Sequence, residues 1–278
     1  MKKISRRSFM AAAAVSVAAL ALTACGGSAS SAASSVASSA ASSEAASSAA
    51  AAELTTVEAG KLTMATNAAF PPYEMTTDAG EFEGIDVDTA KAIAEKLGLE
   101  LQIDDMDFDA ALLSVQQGKA DIVMAGVTVT DERKAVMDFS DSYATGIQSI
   151  IVPNDSDIAS PDDLAGKKIG TQRGTTGYIY CSDDFGDDAV VAYDNGLTAV
   201  QALNNGQVDA VVIDNAPAQE FVAANPGLKV LDTSYAEEDY AIGMAKGSAL
   251  EDAVNKALEE LKADGTLQAI VDKYINAN

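Results

Sequence analysis

A weak internal repeat of one helix end and one strand constrains the fold most strongly. Residues 117–123 read QGKADIV and residues 205–211 read NGQVDAV. Each copy has a glycine where a helix should stop, then an aspartate, then an apolar run that predicts a buried strand. The offset is 88 positions (205 − 117 = 88), which places Gly126 opposite Asp214. Two α/β lobes of similar build are the simplest architecture that explains this repeat.

Strands alternate with amphipathic helices from residue 61 onward. The pattern predicts strands at 61–66, 99–103, 122–127, 168–171, 190–193 and 208–213, and helices at 86–97, 108–117, 161 onward, 197–205, 217–224, 250–264 and 266–275. This alternation is typical of the α/β class. Ligands bind at the carboxyl ends of strands in open α/β sheets. If the two lobes face each other, one cleft is lined by Asn67, Gly126, Thr128, Gln172 and Asp214.

The first 52 residues predict export and anchoring rather than a fold. Basic residues within the first seven positions precede an apolar run at 9–22 that is too short to span a bilayer stably. Residues 22–25 read LTAC and resemble the lipobox of bacterial lipoproteins, which implies a signal peptide at 1–24 and a lipidated, palmitate-bearing Cys25. An ordinary signal peptide with a chance cysteine is the alternative. Residues 5–9, SRRSF, also resemble a twin-arginine export motif.

Residues 26–52 are almost wholly Ala and Ser. Such a run has no large side chains to bury, so 25–52 is predicted to be a disordered tether. A lipid anchor followed by a tether predicts a domain held at the extracytoplasmic face of a bacterial membrane, touching the membrane by its lipid only.

Charge and residue content exclude several function classes. Asp and Glu number 42 against 18 Lys and Arg, a net charge of −24, which argues against nucleic acid as a partner. The sequence has no histidine, so Ser-His-Asp catalysis and His-built zinc sites are ruled out. Cys181 fits a small buried residue, and the acidic stretch 182–188 lacks the spacing of a calcium loop. We expect no metal and no cofactor.

A series of motifs in order along the chain carries a family resemblance. The stretches are TNAAFPPYE at 66–74, GIDVD at 84–88, MDF at 106–108, GVTVTDER at 126–133, DFS at 138–140 and GTTG at 174–177. Together they resemble the polar amino-acid-binding proteins of ABC importers, the family 3 solute-binding proteins. The resemblance implies a two-lobed fold of the Venus-flytrap type with two strand crossovers. It places lobe 1 at 53–142 and 243–278 and lobe 2 at 148–237.

The same resemblance implies roles for individual residues. Arg133 would bind the ligand's α-carboxylate, aided by backbone N–H groups at Thr128, Thr175 and Thr176, where GTTG opens a helix. Asp214 would bind the α-ammonium together with the Gly126 carbonyl and the Thr128 hydroxyl. From the residues alone, Arg133 could instead lie on a solvated helix face and Asp214 could be a helix N-cap.

The remaining predicted residues concern the ligand side chain. Phe70 and Phe108 match family aromatics that enclose it, although packing in the core is the plain alternative. Asn67 stands where many relatives have aspartate, which favours a neutral amino acid. Gln172 can reach a polar side chain, and Ile213 replaces a residue that is polar in the glutamine-binding branch.

We therefore predict a non-enzymatic, monomeric receptor that captures an amino acid and delivers it to an ABC permease and its ATPase. Two alternatives remain open. One is an enzyme similar to cyclohexadienyl dehydratase, with Glu74 or Asp86 as a general acid. The other is a sensing lipoprotein that works without a transporter.

Overall fold

The computed structural model describes residues 54–275, which belong to one compact unit. The predicted signal peptide, Cys25 and the tether at 25–52 lie outside the described residues. Within 54–275, no helix is both long enough and apolar enough to cross a bilayer.

The elements follow each other in mixed order along the chain. The strands are β1 (Lys61–Thr66), β2 (Ala69–Phe70), β3 (Glu74–Thr76), β4 (Phe82–Glu83), β5 (Glu100–Asp105), β6 (Ile122–Val123), β7 (Met137–Phe139), β8 (Ala144–Pro153), β9 (Ile169–Gln172), β10 (Val190–Tyr193), β11 (Ala210–Asp214), β12 (Leu228–Val230), β13 (Ala236–Tyr240) and β14 (Gly243–Ala245). The α-helices are α1 (Ile85–Leu97), α2 (Phe108–Gln116), α3 (Asp131–Val136), α4 (Thr176–Phe185), α5 (Gly196–Asn204), α6 (Asn215–Ala223), α7 (Glu251–Ala263) and α8 (Thr266–Ile275).

The first sheet has the strand order β5-β1-β6-β14-β7. Strand β1 pairs in parallel with β5 and β6, whereas β14 runs antiparallel to β6 and β7. Successive side chains of β1 point to opposite faces. Leu62 and Met64 pack with Ile93 of α1, while Ala65 packs with Ala111 of α2. Helices therefore cover both faces, which explains why β1 is buried from Leu62 to Thr66.

The second sheet has the order β10-β9-β11-β8-β12, with β13 also paired to β8. Strands β10, β9 and β11 are parallel, and β8 runs antiparallel to β11. Alternation again separates two apolar layers. Val212 packs with Cys181 of α4, and Val211 packs with Val200 of α5 and Phe221 of α6.

The chain passes between the sheets twice. It leaves the first sheet after β7 and enters the second along β8, then returns from β13 to β14. Strands β8 and β13 pair antiparallel along this passage, from Gln148 opposite Ala236 to Ala144 opposite Tyr240. The predicted two-lobed α/β fold with two crossovers is confirmed. The lobe boundaries at 142/148 and 237/243 stay a prediction.

The sequence repeat corresponds to equivalent hydrogen bonds in the two halves. The Asp121 N–H donates to the Thr63 carbonyl (2.9 Å), and its carboxylate accepts from the Thr63 N–H (2.8 Å). Asp209 makes the same pair of bonds to Lys168, both at 2.8 Å. Gly118 and Gly206, which follow α2 and α5, share a φ of 66°. The two halves therefore use one local plan, as the repeat predicts.

Two predicted elements differ from those observed. The strand predicted at 122–127 ends at Val123, because the chain turns away from the sheet before Gly126, whose φ is +54°. The helix predicted after Ser160 is only a 3-10 turn, Pro161–Leu164, although Asp163 accepts from the Ser160 N–H (2.9 Å) as a capping residue should.

Candidate functional site

One cavity lies where strands of both sheets end. All ten residues predicted to bind ligand line it, together with five others: Asn67, Phe70, Glu74, Phe108, Ala125, Gly126, Thr128, Arg133, Gln148, Gln172, Thr175, Thr176, Ile213, Asp214 and Tyr240. The residues brought together come from sequence positions as far apart as 67 and 240.

Arg133 turns inward from the short helix α3. Its neighbours Glu132 and Lys134 are exposed, whereas Arg133 is partly buried. The guanidinium donates to the Thr128 carbonyl (2.7 Å) and, across the cleft, to the Gly174 carbonyl (3.1 Å), and it lies 5.4 Å from the Phe108 ring centroid. Burial lowers its pKa, which the nearby Glu238 carboxylate partly offsets. Arginine has five N–H donors. Three therefore stay available for a ligand carboxylate.

Asp214 ends β11 and is also the N-cap of α6. One carboxylate oxygen accepts from the Ala216 N–H (3.0 Å) and the other from the Ile147 N–H (2.8 Å). The side chain is 2% exposed, and burial raises its pKa to about 6, against the opposing hydrogen bond from Ile147. The N-cap alternative is thus observed. Because a carboxylate accepts about four hydrogen bonds, capping leaves capacity for an ammonium.

Three threonines lie where the two sheets approach each other. Thr175 is the N-cap of α4 and accepts from the Tyr178 N–H (3.3 Å). The hydroxyl of Thr176, the first residue of α4, lies 3.4 Å from the Thr128 hydroxyl. The partial positive charge of a helix N-terminus favours an anion there. The carboxylate end of a ligand would thus meet Arg133 and the start of α4 together.

Aromatic rings form the apolar part of the wall. Phe108 is 5% exposed and Phe70 is 9% exposed, so both are mostly buried as well as pocket-lining. Phe70 stacks on Tyr73 with ring centroids 5.8 Å apart. A Cβ at Gly126 would lie 2.9 Å from a Phe70 ring carbon, in addition to its left-handed φ. Glycine is therefore required where the backbone approaches the cavity.

The two side-chain amides predicted to read the ligand bond to each other. Gln172 donates from Nε2 to Oδ1 of Asn67 (2.9 Å), and Asn67 donates to the Met106 carbonyl (2.9 Å). This pair joins the two sheets across the cleft. Part of the hydrogen-bonding capacity of both amides is consequently already used.

Glu74 lines the cavity but was not among the predicted ligand-binding residues. The sequence suggested it only as a general acid, in the enzyme alternative. It is 0% exposed, and its carboxyl lies within hydrogen-bonding reach of the Asp86 carboxyl. Burial, and then the charge of Asp86, hold its pKa well above the usual range. A lone acidic residue directly after Phe70-Pro71-Pro72-Tyr73 was the available sequence signal. Gln148 and Tyr240 were not predicted, because no local pattern distinguishes them.

Asp86 lies behind the cavity wall. It accepts from the Gly126 N–H (2.9 Å) and from the Tyr143 hydroxyl (2.7 Å). Burial raises its pKa to about 6, with the Gly126 hydrogen bond acting against that shift. It therefore holds the loop that carries Gly126.

Comparisons with known proteins agree with this geometry. The chain is 33% identical over 225 residues to the L-cystine-binding protein TcyJ of Escherichia coli strain K12, covering 80% of this chain and 85% of TcyJ. It superposes on the arginine-, lysine-, histidine-binding protein ArtJ of Geobacillus stearothermophilus with a TM-score of 0.75 and 34% identity, covering 78% and 96% of the two chains. An ancestral arginine-binding protein, solved with arginine and with glutamine, gives a TM-score of 0.74 and 43% identity, covering 78% and 98%.

These relatives are described as binding proteins rather than enzymes. The family model for bacterial extracellular solute-binding proteins, family 3, matches residues 62–277. The sequence resemblance is thereby confirmed, and the chain belongs to the bacterial extracellular solute-binding proteins, family 3.

Proposed function

We propose that the protein captures one free amino acid between its two sheets and delivers it to the permease of an ABC importer. The observation that carries this proposal is the pairing of Arg133 and Asp214 in one cavity. A guanidinium matches the two oxygens of an α-carboxylate, and a buried carboxylate matches an ammonium. The names of the relatives support a shared amino-acid ligand.

The side-chain class of the ligand follows from the one carboxyl of the cavity wall that the ligand's backbone groups leave without a partner. Once Arg133 and Asp214 pair with the two ends of the ligand, Glu74 is the remaining ionisable carboxyl lining the cavity. Ionising a buried carboxyl is costly unless a cation lies beside it, so Glu74 favours a ligand with a cationic side chain. The substitution of Asn67 for aspartate favoured a neutral ligand, but Glu74 supplies the acidic group by another route. We propose an arginine-like ligand, with glutamine as the neutral competitor.

A ligand panel tests the proposal. The purified protein is unfolded and refolded to remove carried ligand, and its melting temperature is measured with each proteinogenic amino acid, cystine and prephenate. A ligand at 100 times its Kd adds about 2.7 kcal/mol, a shift of several degrees. L-Arginine should give the largest shift. A shift with prephenate alone would favour the dehydratase alternative, and the absence of any shift would refute the proposed function.

Glu74→Gln separates the two side-chain classes. Removing the carboxyl should weaken L-arginine binding by about tenfold or more while sparing L-glutamine. Because burial raises the pKa of Glu74 and arginine pairs with its ionised form, which is more populated at higher pH, the affinity for arginine should rise with pH relative to that for glutamine. Calorimetry at several pH values measures both effects. Glu81→Gln, an exposed residue nearby, is the matched control.

We also propose that Cys25 is lipidated and that 25–52 tethers a monomeric receptor outside the membrane. Extracellular placement of family members supports this location. Metabolic labelling with a palmitate analogue, compared between the wild type and Cys25→Ser, measures the modification. Equal labelling of both would refute it.

A further inference from the structure

A second buried carboxylate lies directly behind the cavity, on the return strand β13. Glu238 is 6% exposed and does not line the cavity. Its Oε2 accepts from the Thr128 hydroxyl (3.0 Å) and from Nε2 of Gln148 (3.0 Å), and the Tyr180 hydroxyl is a further hydrogen-bonding neighbour of the carboxylate. Thr128 and Gln148 both line the cavity. One carboxylate oxygen thus holds two pocket side chains.

This contact determines which way the Thr128 hydroxyl points. A hydroxyl has one proton to donate and two lone pairs. A carboxylate can only accept, so the Thr128 proton is directed to Glu238. The Thr176 hydroxyl, 3.4 Å from Thr128, must then be the donor in that pair. One of the two lone pairs of Thr128 then accepts from Thr176, so Thr128 presents one remaining lone pair, and no proton, to the cavity.

An acceptor at this position suits the ammonium end of an amino acid and not its carboxylate end. The negative charge of Glu238, one hydrogen bond further back, adds to the attraction for a cation. We infer that Glu238 is a positioning residue, which orients Thr128 as an acceptor for the α-ammonium of the ligand. The inference rests on the proposed function and names one more residue of that same site.

Glu238 also acts on Arg133. Burial lowers the pKa of Arg133, and the negative charge of Glu238 partly offsets that shift. A role through Arg133 would act on the ligand carboxylate instead of the ammonium. The two roles therefore differ in their response to a ligand that lacks the amino group.

The test compares matched ligands on Glu238→Gln. L-Arginine is paired with its des-amino analogue 5-guanidinopentanoate, and L-glutamine with 5-amino-5-oxopentanoate. The variant should weaken both amino acids by about tenfold while changing the des-amino acids by less than about twofold. Glu237→Gln removes the same charge from the exposed neighbour on β13 and should leave all four affinities unchanged. Calorimetry, with competition for the weak ligands, provides the constants.

A double-mutant cycle gives an independent readout. If Glu238 acts through Thr128, Glu238→Gln should reduce the affinity for amino acids only slightly when Thr128 has already been changed to Val. An equal loss for amino acids and des-amino acids, or full additivity in the cycle, would overturn the inference. Should Glu238→Gln not fold, Glu238→Asp, which withdraws the oxygen from Thr128, should show the same selective loss. Failure of the wild-type protein to bind any amino acid of the ligand panel would refute the proposed function, and this inference with it.

Discussion

At the scale of single residues, the site depends on charged groups that already make some of their hydrogen bonds within the protein. Arg133 donates to carbonyls on both sides of the cleft, and Asp214 accepts from two backbone N–H groups. Such bonds hold the side chains in one orientation, which limits the entropy lost on binding. Preorganisation of this kind favours tight binding of a small zwitterion.

Arg133→Ala should cost about 2–5 kcal/mol of binding free energy, because the ligand carboxylate would be desolvated without a partner. Calorimetry with the best ligand of the panel measures the loss. Lys134→Ala removes a positive charge from the exposed adjacent position and should change the affinity little. A loss of less than threefold for Arg133→Ala would contradict its assignment to the carboxylate.

At the scale of elements, Asp86 links three segments. It lies in the first turn of α1, binds the loop that carries Gly126, and binds Tyr143, the residue before β8. The helix begins at Ile85, so Asp86 acts here through tertiary hydrogen bonds and not as the N-cap. A buried carboxyl of this kind makes stability depend on pH.

The sign follows from the pKa of about 6, raised from 3.8. The folded state binds a proton that the unfolded state has lost, so the contribution of Asp86 to stability falls as pH rises from about 4 to about 6. Two pKa units correspond to about 3 kcal/mol at most. Asp214, with a similar shift, contributes in the same direction.

Asp86→Asn should therefore make the loss of stability between pH 4 and pH 6 shallower than in the wild type. Urea unfolding across that range gives the free energies. For Glu95→Gln, a change at an exposed position of the same helix, the free energy of unfolding should vary with pH in parallel with that of the wild type. Parallel curves for Asp86→Asn and the wild type would show that Asp86 carries no such proton.

At the scale of the whole molecule, the two sheets meet through direct contacts across the cleft. Arg133 bonds to Gly174, Gln172 bonds to Asn67, and Thr128 lies against Thr176. Gly174 has a φ of +74°, and a Cβ there would overlap the Asp109 carboxylate at the start of α2. Glycine is required at this position for two reasons: the backbone has a left-handed φ, and a side chain would prevent the close approach of the two sheets.

Gly174→Ala should therefore oppose closure and weaken ligand binding. Small-angle scattering with ligand should report a larger radius of gyration than for the wild type. Asp109→Ala in the same chain should restore part of the affinity by removing the overlap. Gly186→Ala is the control, because it carries comparable backbone strain at φ +88° with open space around it. It should lower stability without weakening ligand binding. No rescue by Asp109→Ala would contradict a steric origin.

The sequence by itself predicted the α/β class, the repeat, and ten residues that line the cavity, eight of which lie within the family motifs. Hydrophobic periodicity and glycine helix stops are local signals, so β1, α2 and α5 were predicted to within a residue or two. The strand at 122–127 was overextended because apolar composition does not report where a backbone turns.

Only the tertiary structure decided which groups are buried together. Thr128 meets Glu238 across 110 positions of sequence, and Asn67 meets Gln172 across 105. No local pattern encodes such contacts, because they arise from the return of the chain along β13 and the approach of two separately built sheets. The burial of Glu238 beside Thr128 and Gln148 follows from that return. The sequence determined the two halves and their motifs, while the packing between the halves determined the charge and hydrogen bonding of the cavity.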